Sequence, residues 1–363
     1  MNPACPSRGP LTGITVIDLS RILAGPYCTL LLAELGARVI KVEDPRGGDD
    51  SRHYGPFVGG ESVYFAAINR GKESIALDLK AAGDRATFEA LLAGADLLVE
   101  NFRPGTMDRL GYGWDALHAR FPRLVYCAAS GFGHSGPHKD KPAYDMVVQG
   151  LGGIMSVTGH SGAPPARIGV SIGDLGAGLY AAIGVQAALL HRERTGEATF
   201  VDISMLDCQL ALMENPAARY LATGVVPGPM GGRHASITPF GIYPTADQAI
   251  IIAAGNDSLF RSLAGVLGRP ELATDARYLT NGLRTENVVA LEAEIGAILH
   301  TESAATWLDR LDVAGIPAGP INDVRAALEH PQTAARAMVV ETATPAGHPL
   351  SVIASPIRVS GFP

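Results

Sequence analysis

The sequence feature that most constrains the fold is a regular alternation of strand-like and helix-like segments that begins near Gly13. The apolar run GITVID is followed by TLLLAELG, which has helical spacing, and then by RVIKVE. Together they span about 30 residues, the size of one strand–helix–strand unit. The alternation continues with SIALDL, a helical stretch around Arg85–Leu92, DLLVE and RLVYCAA. Such a pattern predicts an α/β fold with a parallel sheet that is covered by helices on both faces.

A Pro/Gly-rich stretch, TGVVPGPMGGRH, marks the predicted boundary between two domains. Before it lie the strand FVDIS and a long predicted helix from Gly173 to Arg194, which ends in basic residues before Gly196. After it the pattern predicts the strands YPTAD and AIIIAAG, and helices near Ser258–Leu267, Val288–Leu299 and Ala304–Ala314. We expect a large domain in residues 1–200, a small α/β domain in residues 225–325, and a return of residues 330–363, in which LSVIASPIRVSGF rejoins the first sheet.

Composition and charge argue against several classes of function. The net charge is −7 and no run of Lys and Arg forms a basic face, so binding to nucleic acid is not expected. The cysteines form no CxxC pair, so neither a metal site nor a disulfide framework is predicted; they are Cys5, Cys28, Cys127 and Cys208. The N-terminal MNPACPSRGP lacks the apolar core of a signal peptide, and no apolar run reaches membrane-spanning length. We therefore expect a cytoplasmic protein without membrane contact.

Two generic motifs follow one another in the middle of the chain. Gly131, Gly133 and Gly136 form a GxGxxG after the strand RLVYCAAS, but Pro137 and HKDKP follow, so no helix opens there. A Gly-rich loop is the better interpretation than a nicotinamide site. The second motif is the GxSxG around Ser171. It leaves a serine hydrolase open, with Asp202 and His234 as candidate partners, although Ser171 equally suits a turn or a helix N-cap.

Asp174 lies three residues after Ser171, at the start of the long predicted helix. One interpretation is an acidic residue that only stabilises the helix dipole. The other is a nucleophile, kept ionised by free helix N–H groups, because only an ionised carboxylate attacks. Glycines around it leave room for a bulky thioester, and their backbone N–H groups or those of Gly231 and Gly232 are candidate donors to an oxyanion. The nearby glycines are Gly173, Gly176 and Gly178.

Over nearly its whole length the chain resembles the family III CoA-transferases, the family of the formyl-CoA and carnitine-CoA transferases. The matching segments occur in the same order as in that family. They are LTGITVIDLSRILAGP, LAELGARVIKVEDPRGGDD, NRGKESIALDLK, VENFRPGTMDRLG, SGFGHSGP, KPAYDMVVQ and IGDLGAGLYAAIG.

This resemblance implies a large Rossmann-like domain, formed by the N-terminal half and the C-terminal end, a smaller inserted α/β domain, and an interlocked homodimer. It implies that Asp174 forms a mixed anhydride with the donor acyl group and then a thioester with CoA. It implies no metal or redox cofactor, with CoA acting as a carrier substrate. Relatives usually carry a further tail beyond the position of Pro363, so the sequence leaves open whether such a tail has a role in closing the dimer.

The resemblance also implies a set of CoA contacts. Four scattered cations among them, Lys80, Arg103, Arg109 and Lys141, suit the 3′-phosphate and pyrophosphate of CoA, although each also suits a solvated surface. Phe102 is an adenine neighbour or a core residue. The full set is Leu23, Ala24, Leu77, Asp78, Leu79, Lys80, Asn101, Phe102, Arg103, Arg109, Lys141, Ala143, Tyr144 and Asp145.

Two positions distinguish branches of this family. Its racemases carry a His directly before the Asp at the position of Asp145, whereas this chain has Tyr144, so racemase activity is not expected. Formyl-CoA transferases carry a Gln at the position of Leu23, which weakens the case for formyl-CoA specificity.

The acceptor is less constrained than the nucleophile. Segments such as SRHYGPFVGGESVYFAAINRGKES most resemble the acetyl-CoA:oxalate transferase branch, while GRHASITPFGIYPT resembles branches that use longer dicarboxylates such as glutarate. An Arg suits a distal carboxylate because its fork binds two oxygens. The candidate acceptor contacts are Gly231, Gly232, Arg233, His234 and Ser236. Three classes remain open: a CoA-transferase, a serine hydrolase, and a CoA-binding protein without catalysis.

Overall fold

The computed structural model describes residues 8–362, which form two compact units. The large unit runs up to Ser156, from Ala166 to Pro227, and from Pro331 onward. The small unit comprises Val157–Pro165 and Gly228–His330. The sequence pattern did not indicate that the short segment Val157–Pro165 belongs to the small unit. That the small unit is an independent inserted domain stays a prediction, as do the boundaries expected at 225 and 330.

A six-stranded parallel sheet organises the large unit, as the strand–helix alternation predicted. The strands up to Ser204 are, in chain order, β1 (Thr15–Asp18), β2 (Arg38–Glu43), β3 (Phe57–Val58), β4 (Glu61–Ser62), β5 (Glu73–Ala76), β6 (Leu97–Glu100), β7 (Val125–Ser130) and β8 (Phe200–Ser204). The main sheet has the order β5-β2-β1-β6-β7-β8, while β3 and β4 form a separate antiparallel hairpin. The strand order reverses beside β1, which is where open parallel sheets of this kind bind ligands.

Helices cover both faces of this sheet. Val16 packs in a core with α1 and α8, whereas its neighbour Ile17 packs in a second core with α3 and α5, as the alternation of strand side chains requires. The helices up to residue 223 are α1 (Ala24–Glu34), α2 (Val63–Asn69), α3 (Ala82–Ala93), α4 (Thr106–Leu110), α5 (Trp114–Arg120), α6 (Asp145–Leu151), α7 (Ile154–Val157), α8 (Ile172–Thr195), α9 (Met205–Leu212) and α10 (Glu214–Thr223), with a 3₁₀ turn at Asp50–His53.

The long helix α8 confirms the helix predicted from Gly173 to Arg194. Among residues 8–362 it is the one helix long and apolar enough to cross a membrane, by length and composition alone. Half of its apolar window is buried in the large unit, where α8 packs against α1, α9, β7 and β8. A buried core helix passes the same test of length and composition, so the absence of membrane contact stays a prediction.

The small unit consists of a three-stranded antiparallel sheet with helices packed on it. Its strands are β9 (Phe240–Pro244), β10 (Ala249–Ala253) and β11 (Ala318–Pro320), in the order β11-β10-β9. Its helices are α11 (Asp257–Val266), α12 (Asn281–Glu286), α13 (Val288–Leu299), α14 (Ala304–Val313) and α15 (Val324–Leu328), with a 3₁₀ turn at Pro270–Ala273. The three helices predicted in this region are confirmed, whereas α12 and α15 were not predicted.

The C-terminal segment returns to the large unit but does not join its main sheet. After α16 (Pro331–Ala335), β12 (Val339–Ala343) and β13 (Pro349–Ile353) pair with each other in an antiparallel hairpin. The Arg70 guanidinium at the end of α2 donates to the carbonyl oxygen of Ile353 at 2.8 Å and pairs with Glu34. The prediction that LSVIASPIRVSGF rejoins the first sheet is therefore wrong, because β13 pairs with β12 in a separate two-stranded sheet.

Candidate active site

The carboxyl ends of β1, β6 and β7 meet the start of α8 at a narrow cleft of about 230 Å³, here called the inner cleft. The loops that follow these strands form its walls, as expected at the switch point of a parallel sheet. Asp174 lines it, and so do eight of the predicted CoA contacts: Leu23, Ala24, Asn101, Phe102, Arg103, Lys141, Ala143 and Tyr144. Its other lining residues are Arg21, Ile22, Asp50, Pro104, Ala129, Ser130, Gly131, Lys139, Pro142 and Met205.

A wider cleft of about 770 Å³, the outer cleft, adjoins the inner one. Arg21 and Phe102 line both clefts, and the Arg21 guanidinium lies 5.3 Å from the centre of the Phe102 ring. Five further predicted CoA contacts line the outer cleft: Leu77, Asp78, Leu79, Lys80 and Arg109. Of the predicted set, only Asp145 lines neither cleft.

Asp174 is the third residue of α8, and its half-buried side chain faces the inner cleft. Burial raises the pKa of this carboxyl to about 7, and the negative charge of Asp145 adds to the rise. This differs from the expectation that helix N–H groups keep it ionised, because burial disfavours the charged form. A carboxyl with this pKa is a stronger base and a better nucleophile than an exposed one, while a large fraction remains ionised at neutral pH.

Asp145, the first residue of α6, holds the start of α8 from behind the inner cleft. Its Oδ1 accepts a hydrogen bond from the Gly173 N–H at 2.8 Å, and its Oδ2 accepts one from the Gln149 amide at 2.7 Å. Gln149 in turn accepts from the Ile168 N–H at 2.9 Å. These bonds fix the backbone immediately before Asp174, which gives Asp145 a positioning role rather than a place in the cleft lining.

The turn from Arg21 to Ala24 is held in an unusual backbone conformation. Ile22 has φ of 67°, a left-handed value that is strained for a β-branched residue. The Asn101 side chain accepts from the Arg21 N–H at 2.7 Å and donates to the Arg21 carbonyl at 2.8 Å. The Asp49 carboxylate accepts from the Ile22 N–H at 3.0 Å and forms a fully buried ion pair with Lys41 at 2.9 Å. Three side-chain hydrogen bonds from Asn101 and Asp49 thus hold one wall of the inner cleft in place, and Lys41 anchors Asp49.

Several cations of the two clefts are not neutralised by the protein. Within residues 8–362, no ion pair is formed by Lys80, Arg103, Arg109, Lys139 or Lys141. By contrast, Arg85 donates to the carbonyls of Leu79 and Leu110 and is occupied in the scaffold. The sequence prediction missed Arg21, which lies inside the family-like segment LTGITVIDLSRILAGP, and Lys139, which lies between the segments SGFGHSGP and KPAYDMVVQ.

The structure also decides between the interpretations of the two generic motifs. Gly131 follows β7 and packs so closely on Ala143 that a Cβ there would lie 2.3 Å from the Ala143 Cβ. No helix follows before Asp145, so the Gly-rich loop interpretation is confirmed within this described segment.

The surroundings of Ser171 lack the parts of a nucleophile elbow. In the described residues 158–170 no strand leads into Ser171, and both oxygens of Asp202 accept from the His134 N–H. A nucleophile elbow requires a strand before the Ser. The local geometry therefore gives no support to the serine hydrolase.

The candidate acceptor contacts lie in the small unit. Gly231, Gly232 and Arg233 line a cleft of about 640 Å³, which His234 and Ser236 do not line. The Arg233 guanidinium forms a bidentate ion pair with Glu292, with Nε at 2.9 and 2.8 Å from the two carboxylate oxygens. The Ser236 N–H donates to Nδ1 of His234 at 3.1 Å. Because Glu292 already occupies the fork of Arg233, a carboxylate ligand would compete with it for this cation.

Comparison with known proteins gives consistent matches over nearly the whole chain. A family model described as CoA-transferase family III matches residues 11–363. The acetyl-CoA:oxalate CoA-transferase of Acetobacter aceti is 45% identical over 361 residues, 99% of this chain and 91% of that protein. The succinate–glutarate CoA-transferase of Agrobacterium fabrum is 40% identical over 98% of this chain and 91% of that protein.

A solved structure extends the likeness to the fold. A CAIB/BAIF family protein from Brucella suis is 41% identical, with a TM-score of 0.84 over 98% of this chain and 93% of that one. The mixed α/β architecture with its large parallel sheet agrees with this Rossmann-like relative. The sequence, the fold and the cleft at the strand ends therefore lead to one assignment: the chain belongs to CoA-transferase family III and is an enzyme of that class.

Proposed function

We propose that this enzyme moves CoA from an acyl-CoA donor, such as acetyl-, formyl- or succinyl-CoA, to oxalate or another short dicarboxylate through a thioester on Asp174. The observation that carries the proposal is the setting of Asp174. This carboxyl has no cation partner within the described residues, lies at a helix start, and lines a narrow cleft that adjoins a wide basic one. The 45% identity to an acetyl-CoA:oxalate CoA-transferase supports the choice of acceptor.

The proposed reaction proceeds through covalent intermediates on Asp174 in four steps. One Asp174 oxygen attacks the carbonyl carbon of the donor thioester, the C–S bond breaks, and CoA leaves as the thiolate. The thiolate attacks the Asp174 carbonyl of the resulting anhydride, which releases the donor acid with the bridging oxygen and leaves an aspartyl-CoA thioester. The acceptor carboxylate attacks this thioester and again displaces the thiolate. The thiolate then attacks the acceptor carbonyl, which yields the new acyl-CoA and restores the Asp174 carboxylate.

The two clefts suit the two ends of CoA. The outer cleft has the volume and the unpaired cations for the nucleotide, with Lys80 and Arg109 near its phosphates and Phe102 beside its base. The inner cleft is narrow enough for the pantetheine arm and contains Asp174. The proposed contacts are Leu77, Asp78, Leu79, Lys80 and Arg109 for the nucleotide, and Leu23, Ala24, Asn101, Arg103, Lys141, Ala143 and Tyr144 for the arm. The chemistry needs neither a metal nor a redox cofactor, and CoA serves as a carrier substrate.

The contacts of the acceptor acid are less constrained by the structure than those of CoA. Gly231, Gly232, Arg233, His234 and Ser236 are the proposed contacts, in which Arg233 exchanges Glu292 for the distal carboxylate of the substrate. Glutarate is the second candidate acceptor, because a relative at 40% identity is named a succinate–glutarate CoA-transferase. A panel of dicarboxylates of increasing length, read by mass spectrometry of the CoA products, separates them. Faster turnover with oxalate supports oxalate as the acceptor, whereas faster turnover with glutarate makes glutarate the preferred assignment.

A homodimer is the proposed assembly. Large apolar side chains of the helices after residue 172 remain exposed in the single chain, including Ile183 at 63%, Leu190 at 51% and Leu221 at 82%. Apolar surface of this kind is typical of interfaces between subunits. The proposed location is the cytoplasm. Sedimentation of the purified enzyme as a dimer tests the assembly, and a monomer that retains full turnover contradicts it.

The nucleophile is tested by trapping. Hydroxylamine cleaves an aspartyl thioester and leaves a hydroxamate, so incubation with acyl-CoA and hydroxylamine is expected to inactivate the enzyme and modify the peptide that contains Asp174. A modification on Ser171 supports the hydrolase instead. The absence of any modification during measurable transfer contradicts the covalent route.

A further inference from the structure

The side chain of Gln209, on α9, is fully buried and yet has no hydrogen-bond partner. Its exposure is 0%, and within residues 8–362 neither its amide nitrogen nor its amide oxygen is bonded. Buried amides are nearly always paired, because an unpaired donor or acceptor away from water lowers stability. An exception of this kind calls for a functional explanation.

Gln209 lies directly against the structure that presents Asp174. A Cβ built on Gly173 would lie 3.1 Å from the Gln209 amide nitrogen and 3.0 Å from Oδ1 of Asp145, so both side chains reach the same side of Gly173. Met205, one helical turn earlier on the same face of α9, lines the inner cleft together with Asp174. Gln209 is therefore directly behind the reactive carboxyl rather than in a remote part of the core.

Gln149 provides an internal comparison. It is also 0% exposed, but its amide is used on both sides: it donates to Oδ2 of Asp145 at 2.7 Å and accepts from the Ile168 N–H at 2.9 Å. The protein thus pairs one buried glutamine of this cluster and leaves the other unpaired. This difference suits a Gln209 amide that forms its hydrogen bond in a reaction intermediate and not in the resting enzyme.

We propose that Gln209 is a positioning residue for Asp174 that acts through Asp145 and Gly173. When Asp174 becomes acylated, the first turn of α8 must accommodate the attached group, and the Gly173 N–H moves relative to Asp145. A buried carboxylate that loses a donor is strongly destabilised. The Gln209 amide nitrogen, which reaches the same side of Gly173 as Oδ1 of Asp145, supplies the replacement donor and so lowers the free energy of the covalent states. This inference rests on the proposed role of Asp174 as the nucleophile.

Replacement of Gln209 by methionine tests the proposal, because methionine keeps the volume and removes both polar atoms. We expect the turnover number to fall roughly 10- to 100-fold, the effect of losing a hydrogen bond to a charged group. The KM for acyl-CoA should stay within about twofold of the wild-type value, because the resting enzyme does not use this bond. The melting temperature should stay the same or rise, since no resting-state partner is lost.

Two comparison variants separate this role from simple packing. Gln149→Met should lower the melting temperature, because it leaves Oδ2 of Asp145 and the Ile168 N–H without partners. Gln248→Met, at the exposed turn between β9 and β10, should change neither stability nor turnover. If Gln209→Met fails to fold, Gln209→Glu is measured instead; its negative charge beside Asp145 should lower turnover at least as much.

The outcomes distinguish the inference from the function on which it rests. Wild-type turnover in Gln209→Met, or in Gln209→Glu where methionine prevents folding, overturns the role of Gln209. A KM that rises while the turnover number is unchanged overturns it as well. Hydroxylamine trapping on the wild-type enzyme runs in parallel. If the wild type gives no Asp174 adduct, the nucleophile assignment fails irrespective of what Gln209 does.

Discussion

Two clusters of buried acids in the large unit differ in what surrounds them. In the ion-pair network, formed by Asp18, Lys41, Asp49 and Lys72, each carboxylate contacts a buried ammonium group at 2.9 or 3.1 Å. In the acid pair, formed by Asp145 and Asp174, no cation lies within ion-pair distance among residues 8–362. Asp18 of the network ends β1, whereas both acids of the pair lie in the first turns of helices, α6 and α8.

The pKa values of the two clusters move in opposite directions. Burial works against ionisation of Asp18 and Asp49, but Lys72 and Lys41 outweigh it and hold both pKa values below their usual range. Burial and the charge of Asp145 instead raise the pKa of Asp174 to about 7. A buried acid that contacts a cation keeps its charge, whereas burial beside a second acid raises the pKa of Asp174 and makes its carboxylate more basic.

The largest expected effect is on turnover when Asp174 is replaced by asparagine. Transfer should fall by more than about 1,000-fold, because an amide does not act as the nucleophile. The variant should still fold, and at alkaline pH it should be more stable than the wild type. The raised pKa means that the folded protein binds this proton more tightly than the unfolded chain, so the wild type loses stability as pH rises from about 4 towards about 7.

Rate assays and melting curves between pH 5 and 8 (about the range over which most proteins are stable) measure both effects of Asp174→Asn. Retained turnover in a folded variant contradicts the nucleophilic role. A melting temperature that falls relative to wild type at alkaline pH contradicts the raised pKa.

The second-largest expected effect is a loss of stability in Asp49→Ala, which breaks the ion-pair network. The buried Lys41 then loses its partner, and the free energy of unfolding should fall by about 3–5 kcal/mol. Because the pKa of Asp49 is lowered in the folded state, its contribution is present above about pH 4 and is lost as pH falls below that value. The difference between variant and wild type, measured by denaturant unfolding, should therefore shrink in acid. Asp50→Ala, an exposed neighbour, is the matched control and should leave stability unchanged.

The third effect concerns the outer cleft. Arg109→Ala removes an unpaired cation and should raise the KM for acyl-CoA roughly 10-fold with little change in the turnover number, because a phosphate contact far from the thioester binds substrate and transition state equally. A higher salt concentration should reduce the difference in KM between this variant and the wild type. Arg310→Ala, whose cation is paired with Glu302 in the small unit, is the control. A lowered turnover number with unchanged KM contradicts the assignment of the outer cleft to the nucleotide.

The smallest effect is a shift in pH dependence within the acid pair. In the wild type, kcat/KM for acyl-CoA should rise with pH through an apparent pKa of about 7, because only ionised Asp174 attacks. Asp145→Asn removes the neighbouring negative charge, so this apparent pKa should move to lower pH. An unchanged profile shows that burial alone sets the pKa.

Much of the fold was predictable from local patterns. The parallel strands, α8 and the three helices of the small unit follow from hydrophobic periodicity and stop signals such as Gly196. The C-terminal hairpin was not predictable in the same way. The pattern of β13 shows a strand, but whether it pairs with β12 or with the main sheet depends on contacts distant in sequence.

The candidate site was predictable in its residues but not in its electrostatics. The family-like segments brought out Asp174 and 13 of the residues that line the two clefts. They did not reveal that burial raises the pKa of Asp174, since the helix start alone suggests the opposite. The bond from Gly173 to Asp145 joins residues 28 positions apart, and the unpaired amide of Gln209 depends on the packing of α9. Such features follow from the assembled core.

The most direct measurement follows oxygen through Asp174. In the proposed route the acceptor carboxylate leaves one of its oxygens on this side chain when its acyl group departs as the new thioester. Turnover with an acceptor labelled with oxygen-18 is therefore predicted to make the Asp174 peptide heavier by exchange of its carboxylate oxygen, as read by mass spectrometry, with no label in the Ser171 position. A peptide that stays unlabelled after many turnovers would contradict covalent transfer through Asp174.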